Sequence, residues 1–303
     1  MNAVVVTGAN GFIGNAIVRY FISRNIKVYA IIHNGNDSRL EKTDNLEVIS
    51  CEMSHICELP ELLHDKCDLF YHVAWAGSAG PSRFDYELQL NNAKWSLDSI
   101  DVAKRLGCSR IIFAGSIMEH ETFEATYTDG IMPGLGYIYG AGKAVTHMMA
   151  FPLATQIGIE LIWGEITNAY GPGELSPRLI NTTIKKCISK VSPEFTSGVQ
   201  NYDFIYIDDV AEAFYLIGVK GKPFHSYVIG SGDAKPLKDF LLEMQEAIAS
   251  DLDFKFGNIP FSGVNLPINL FDTEKLYKDT GFRSKISFSE GCIRTMKWLR
   301  DVN

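Results

Sequence analysis

The sequence predicts an α/β protein built on a doubly wound parallel sheet, with a smaller, mixed α/β lobe toward its C-terminal end. Three observations predict it. Short apolar runs alternate with helical patterns through the first half of the chain. The first of these runs leads straight into a turn with three glycines. After about Tyr170 the texture changes, beginning with the turn signal Gly171-Pro172-Gly173.

Taken in order, Ala3–Thr7, Lys27–Ile32, Leu46–Ser50, Leu69–Val73, Ile111–Ala114 and Glu160–Trp163 read as strands. They are short and continuously apolar, as strands buried on both faces must be. Between the first two, Phe12, Ile13, Ala16, Ile17, Tyr20 and Phe21 recur at helical spacing. A further helix is expected around Trp95, Ile100 and Ala103. Strand–helix alternation of this kind favours a parallel sheet with helices on both faces. Later, Lys238–Ser250 and Ser289–Leu299 read as helices and Ile259–Pro267 as proline-punctuated loop. Phe204–Ile207 and Tyr227–Ile229 are expected to return to the main sheet as strands.

Composition narrows the function classes. The 303 residues are 46% hydrophobic and 21% charged, enough for a large core. A net charge of −8, from 28 basic and 36 acidic residues, speaks against a nucleic-acid partner, which favours a basic surface. It does not exclude a phosphorylated small ligand held by local donors. The opening apolar run, Ala3 to Val6, is far too short for a signal peptide, and no window approaches a membrane span, so a cytoplasmic protein is expected. The six cysteines form no C-x-x-C pair and the seven histidines no H-x-x-x-H pair, so no bound metal is expected.

The glycine turn carries the first chemical signal. V-V-V-T-G-A-N-G-F-I-G places Gly8, Gly11 and Gly14 between a strand and an amphipathic helix. Glycines let backbone approach a pyrophosphate, and the helix N-terminus offers free N–H groups and a favourable dipole. A dinucleotide is expected there, on Gly8, Asn10, Gly11, Phe12, Ile13 and Gly14. The second strand ends Ile31-Ile32-His33-Asn34, without the carboxylate that binds the ribose hydroxyls of NAD. His33 and Asn34, with Arg39 nearby, tolerate an extra phosphate, so NADP is expected in preference to NAD. A solvated strand-end role for His33 is the plain alternative.

The second signal is Tyr139-Gly140-Ala141-Gly142-Lys143. On a helix, the i, i+4 spacing puts tyrosine and lysine on one face. There the ammonium favours tyrosinate, lowering the phenol from its ordinary value of about 10, and the tyrosine can exchange a proton with a carbonyl or alcohol oxygen. Ser116 stands at the end of the fifth strand, where ligands bind in open α/β sheets.

These motifs together resemble the extended short-chain dehydrogenase/reductase group, the NAD-dependent epimerase/dehydratase family. The glycine spacing is G-x-x-G-x-x-G, and Ser116 precedes Tyr139 by 23 residues. His72-Val73-Ala74-Trp75-Ala76, Gln89-x-x-Asn92, Asn168-Ala169-Tyr170-Gly171-Pro172-Gly173, and Asp203 through Ala211 are similar to family blocks in the same order. The resemblance implies a Rossmann sheet. It assigns residues 1–170 to a dinucleotide-binding domain, with a returning segment at about 204–234. Residues 171–203 and 235–303 would form a substrate lobe.

The same resemblance implies Ser116, Tyr139, Lys143 and Asn92 as catalytic residues. It extends the cofactor contacts to Glu52, Met53, Ala74, Trp75, Ala76, Tyr139, Lys143 and Ile166. It implies a nucleotide-diphosphate sugar held by Arg83, Glu119, Asn168, Arg178, Gln200 and Tyr206, and a homodimer.

Dehydratases of the family carry T-D-E after the fifth strand, whereas this chain has Ser116-Ile117-Met118. Two apolar side chains move no protons. The run Gly115-Ser116-Ile117-Met118-Glu119-His120 is instead similar to nucleotide-sugar 4-ketoreductases resembling CDP-abequose synthase. The expectation is NAD(P)H-dependent reduction of the C4 ketone of a nucleotide-linked 4-keto-6-deoxy sugar. A 4-epimerase with tightly bound NAD is the alternative, and a catalytically silent dinucleotide-binding sensor is a third reading. Two departures stand out: Glu165 and Tyr202 occupy positions where the family often has arginine. Glu165 is expected to repel phosphate or to pair with a base such as Arg178.

Overall fold

The computed structural model describes residues 1–33, 35 and 37–302; the expectation on Asn34 falls outside the described residues. The main elements run β1 (Ala3–Thr7), α1 (Phe12–Ser23), β2 (Lys27–Ile32), β3 (Leu46–Ser50), α2 (Leu59–Leu62), β4 (Leu69–His72), α3 (Tyr86–Arg105), β5 (Arg110–Ser116), α4 (Met118–Tyr127), α5 (Tyr137–Ile157) and β6 (Glu160–Ile166). There follow β7 (Asn168–Tyr170), α6 (Leu179–Ile188), β8 (Glu194–Phe195), β9 (Asn201–Tyr202), β10 (Phe204–Tyr206), α7 (Ile207–Lys220), β11 (His225–Ile229), β12 (Lys235–Pro236), α8 (Leu237–Ile248), β13 (Lys255–Phe256), α9 (Glu274–Thr280) and α10 (Phe288–Val302).

Seven strands form one parallel sheet in the order β3-β2-β1-β4-β5-β6-β11. The order reverses between β1 and β4, which opens the crevice where such sheets bind ligands. β5 and β6 run on to Ser116 and Ile166, beyond the apolar runs that announce them. Tyr227–Ile229 does return to the sheet, as part of edge strand β11.

Phe204–Ile207 does not return. Residues Phe204–Tyr206 pair with β7 in a separate two-stranded ladder. The reason is steric: β11 pairs with Ile162–Ile166, so the free edge of β6 is taken and only its continuation, β7, is open. Fully buried Asp203, just before β10, accepts from the backbone N–H of Ser231 at 3.0 Å and ties this ladder to the end of β11.

One side-chain row crosses the sheet in register. Thr7, His72, Phe113, Trp163 and Ser226 are successive partners on β1, β4, β5, β6 and β11. The His72 and Phe113 rings lie 5.0 Å apart, Phe113 and Trp163 5.2 Å, and His147 of α5 stacks on Trp163 at 4.4 Å. The Thr7 hydroxyl accepts from the N–H groups of Val73 and Ala74. Its own proton therefore goes to His72 Nδ1, 3.2 Å away, and His72 Nε2–H donates to Ser96 at 2.9 Å. Burial, and secondarily the charge of Lys143, pushes the His72 imidazole down to about 3, in keeping with this neutral tautomer.

Among the described residues no helix is long and apolar enough to cross a membrane.

Candidate active site

The phosphate turn is held open by its glycines. Gly8 has φ +65°, and a Cβ there would lie 2.8 Å from the backbone of Ala74. A Cβ on Gly14 would lie 2.1 Å from the Gly8 carbonyl oxygen. The first turn can thus touch the loop after β4 and the start of α1 at once. Gly11 caps α1 without a side-chain acceptor, so no cap side chain takes up the amides of the first turn of the helix. Asn10 Oδ1 accepts from the Arg39 N–H at 3.1 Å and Asn15 donates to the Arg39 carbonyl at 2.7 Å, so the loop after β2 is pinned to this turn. His33 is exposed at the end of β2, and Glu52 and Met53 follow the end of β3. A cradle that any Cβ would fill, under a free helix N-terminus, fits a dinucleotide.

The loop after β4 is clamped from α3. Gln89 accepts from the Trp75 indole N–H at 2.7 Å and donates to the carbonyls of Gly77 and Ser82. Asn92 accepts from the Ala76 N–H at 3.0 Å and donates to the Ala76 carbonyl at 2.8 Å. Each end of its amide makes one bond to that backbone. Asn92, expected from sequence among the catalytic residues, thus holds the backbone of Ala76 from α3.

Ser116 and Tyr139 meet. Both side chains are buried, the serine hydroxyl lies close enough to the phenol to favour its ionised form, and it accepts from the Met118 N–H at 3.2 Å. Glycines again permit the approach. A Cβ on Gly140 would lie 2.1 Å from Thr122 Oγ1, and one on Gly142 3.2 Å from Gln89. Tyr139-Gly140-Ala141-Gly142-Lys143 can therefore press α5 against both α4 and α3.

Lys143 shares the face of Tyr139 but does not tune it here. Its ammonium donates to the Ala114 carbonyl at 2.7 Å and lies 3.7 Å from the centre of the Trp75 ring. Burial pushes Lys143 down to about 7, against the attraction of Glu119. The Tyr139 phenol is raised by burial, not lowered. The cations that oppose this are Arg178 and Arg83, followed by the nearby Ser116 hydroxyl. Arg83 stacks on the phenol ring, 4.7 Å from its centre.

A cavity of about 280 Å³ opens beside these groups, bounded by Ser78–Gly80, Arg83, Met118, Glu121, Asn168, Arg178, Asn181 and Tyr202 among others. Of the six expected substrate contacts, Arg83, Asn168 and Arg178 line it. Arg178 also pairs with Glu174 at 3.3 Å. The other three do not line it. Gln200 is buried and bonded to Thr196. Tyr206 is buried against Tyr170, with Arg294 near its ring. Glu119 is buried behind the site. It accepts from the Ser116 N–H at 2.8 Å, the Trp163 indole at 3.1 Å and His147 Nδ1 at 2.8 Å. Helix α4 starts directly at the end of β5, so residue 119 turns inward toward Trp163 while Met118 and Glu121 turn to the cavity.

Glu165 pairs with His120 at 3.0 Å, not with Arg178, and this pairing holds the His120 imidazole above its ordinary value. Ligand-type atoms of Glu119, His147 and Glu165 lie within 4.8 Å of one another, a proximity no sequence spacing announces. His147 was detectable: it continues the Tyr139, Lys143 series by one more i+4 step. Glu121, Asn181 and Glu174 carried no such signal.

Comparison with known proteins matches residues 4–230 to the NAD dependent epimerase/dehydratase family. The dTDP-glucose 4,6-dehydratase of Haemophilus influenzae is 24% identical, with 98% of each chain covered. A UDP-N-acetylglucosamine 4-epimerase from Methanobrevibacter ruminantium M1, solved with UDP-N-acetylmuramic acid, superposes with TM-score 0.82 at 22% identity, covering 100% of this chain and 99% of that one. The Bordetella bronchiseptica enzyme WbmF, solved with NADH, superposes with TM-score 0.81 at 19% identity, covering 99% and 92%. The sheet and lobe described above are thus a known fold.

Proposed function

The chain belongs to the NAD dependent epimerase/dehydratase family, and we propose that it reduces the C4 ketone of a nucleotide-linked 4-keto-6-deoxy sugar. The observation that carries this reading is the proximity of buried Ser116 and buried Tyr139 beside a cavity, with a phenol that burial keeps protonated. A protonated acid is what ketone reduction needs. The reduced nicotinamide cofactor supplies the hydride when bound. Tyr139 gives its proton to the ketone oxygen while Ser116 donates a hydrogen bond to the same atom. Arg83 and Arg178 stabilise the tyrosinate left behind, which solvent reprotonates. Asn168 and Arg178 supply donors for the diphosphate.

The neighbouring side chains argue against dehydration. Ile117 is buried against Leu266 and Phe271, and Met118 faces the cavity, so the two positions that hold acids in the dehydratases hold none here. Family membership supports NAD use. An NADP preference rests only on the exposed His33 and on Arg39 beside the turn. The homodimer belongs to the same proposal; exposed Leu90 on α3 and Met148 and Met149 on α5 offer it an apolar face.

A second reading, 4-epimerisation through a transient ketone with retained NAD, uses the same three residues. It is favoured by the likeness in fold to a 4-epimerase. Incubating the protein with CDP-, dTDP-, GDP- and UDP-linked sugars and 4-keto-6-deoxy sugars, with NADH or NADPH, separates the readings. Reduction consumes reduced nicotinamide in step with product. Redox-silent interconversion of a hexose pair would replace reduction by epimerisation. Cofactor binding without turnover on any sugar would leave the sensor reading.

A further inference from the structure

Arg83 and Glu121 line the same cavity, and protein satisfies neither. The Glu121 carboxylate makes no hydrogen bond or ion pair with any described residue. Arg83 Nε is buried without a partner among the described residues, and its guanidinium rests on the Tyr139 ring. The two side chains feel each other's charge but do not close into an ion pair. Tyr137 and Tyr202 are the other titratable groups facing Glu121, and neither is a cation. Burial outweighs the attraction of Arg83 and pushes the Glu121 carboxyl up to about 7.

Opposite charges held apart in one cavity are costly unless a ligand bridges them. The bridge must present an acceptor to Arg83 and a donor to Glu121 simultaneously. Adjacent hydroxyls of a neutral pyranose do both. A sugar carboxylate offers acceptors only and meets Glu121 charge against charge.

We propose that Arg83 and Glu121 form a specificity pair that admits neutral sugar rings through neighbouring hydroxyls and rejects sugars bearing a carboxylate. This rests on the cavity being the sugar subsite of the enzyme proposed above. It also assigns a role to Glu121, which none of the family motifs in this chain includes.

The test is calorimetric binding at pH 8, where Glu121 is ionised, in saturating NAD+. The probes are UDP, UDP-glucose, UDP-glucuronate, dTDP, dTDP-glucose and dTDP-glucuronate. The wild type is expected to favour the neutral sugar of the better-bound nucleotide by about tenfold or more. Glu121→Gln, close in size, is expected to bring that ratio within about threefold by strengthening the glucuronate, with nucleotide affinity unchanged. Arg83→Gln is expected to weaken the neutral sugar without strengthening the acidic one. Nucleotide sugars that bind with a ratio Glu121→Gln does not change would overturn the specificity pair alone. A wild type that binds none of the sugar nucleotides would overturn both it and the subsite on which it rests.

Discussion

The ammonium of Lys143 lies 3.7 Å from the centre of the Trp75 ring, held there by the Ala114 carbonyl on the other side. Among the described residues the aromatic face and the carbonyl compensate its deep burial, with the more distant charge of Glu119. Lys143 is expected to titrate near 7 in the unliganded protein, read by NMR of isotope-labelled lysine. The folded value lies below the unfolded 10.5, so the unfolded chain holds more protons between about 7 and 10.5. This group's contribution to stability therefore falls as pH drops through that window. Trp75→Leu should push the value lower still; an unchanged value would show that the ring contributes nothing.

Tyr139→Phe removes the proton donor and keeps the ring under Arg83. It should lower kcat by about a hundredfold to a thousandfold or more, while dinucleotide affinity changes little. Near wild-type turnover in a single-turnover assay would remove Tyr139 from the mechanism.

Asn92→Ala leaves the Ala76 N–H and carbonyl without their partner. The loop that borders the dinucleotide cradle should loosen, raising KM for the cofactor more than it lowers kcat. A catalytic contact would do the reverse. Steady-state kinetics at varied cofactor concentration tell these apart, and Asn92→Asp, which sets a carboxylate oxygen against the Ala76 carbonyl, should not recover the loss.

His72 is neutral and buried between Thr7 and Ser96. Its folded value of about 3 lies below the unfolded 6.5, so the unfolded chain binds the extra proton first as pH falls. Stability should decline between those values, by up to a few kcal/mol from this residue. Urea midpoints at pH 7, 5 and 4 measure it. His72→Gln, which does not titrate, should flatten the profile.

Gly115→Ala places a Cβ 2.1 Å from the Trp163 indole nitrogen. Trp163 is fully buried and bonded to Glu119, so neither side can give freely. A loss of about 1–3 kcal/mol is expected in chemical denaturation. Activity should drop as well, because Glu119 also fixes the Ser116 N–H.

The sheet was readable because buried parallel strands are written as uninterrupted apolar runs, and because Gly8, Gly11 and Gly14 mark where the chain must turn. Ser116, Tyr139 and Lys143 were readable as types and spacings. What Lys143 and Asn92 touch was not, because their partners are backbone carbonyls and amides, which every residue carries alike. Glu119 read as a substrate contact because it follows Ser116 closely. Only the immediate start of α4 turns it inward to Trp163. Phe204–Tyr206 has the composition of a sheet strand, but which edge is free depends on β11, which comes later in the chain.

That late arrival of β11 bears on how the protein is made. Five parallel bonding partners of β6 are supplied only once residues 225–229 have left the ribosome. Until then the nascent sheet exposes a bare lateral ladder of amides and carbonyls, the kind of margin that recruits other chains. Truncation between Ile166 and His225 makes that margin permanent, so such fragments should clump during expression although they retain every residue of the Ser116–Tyr139–Lys143 set.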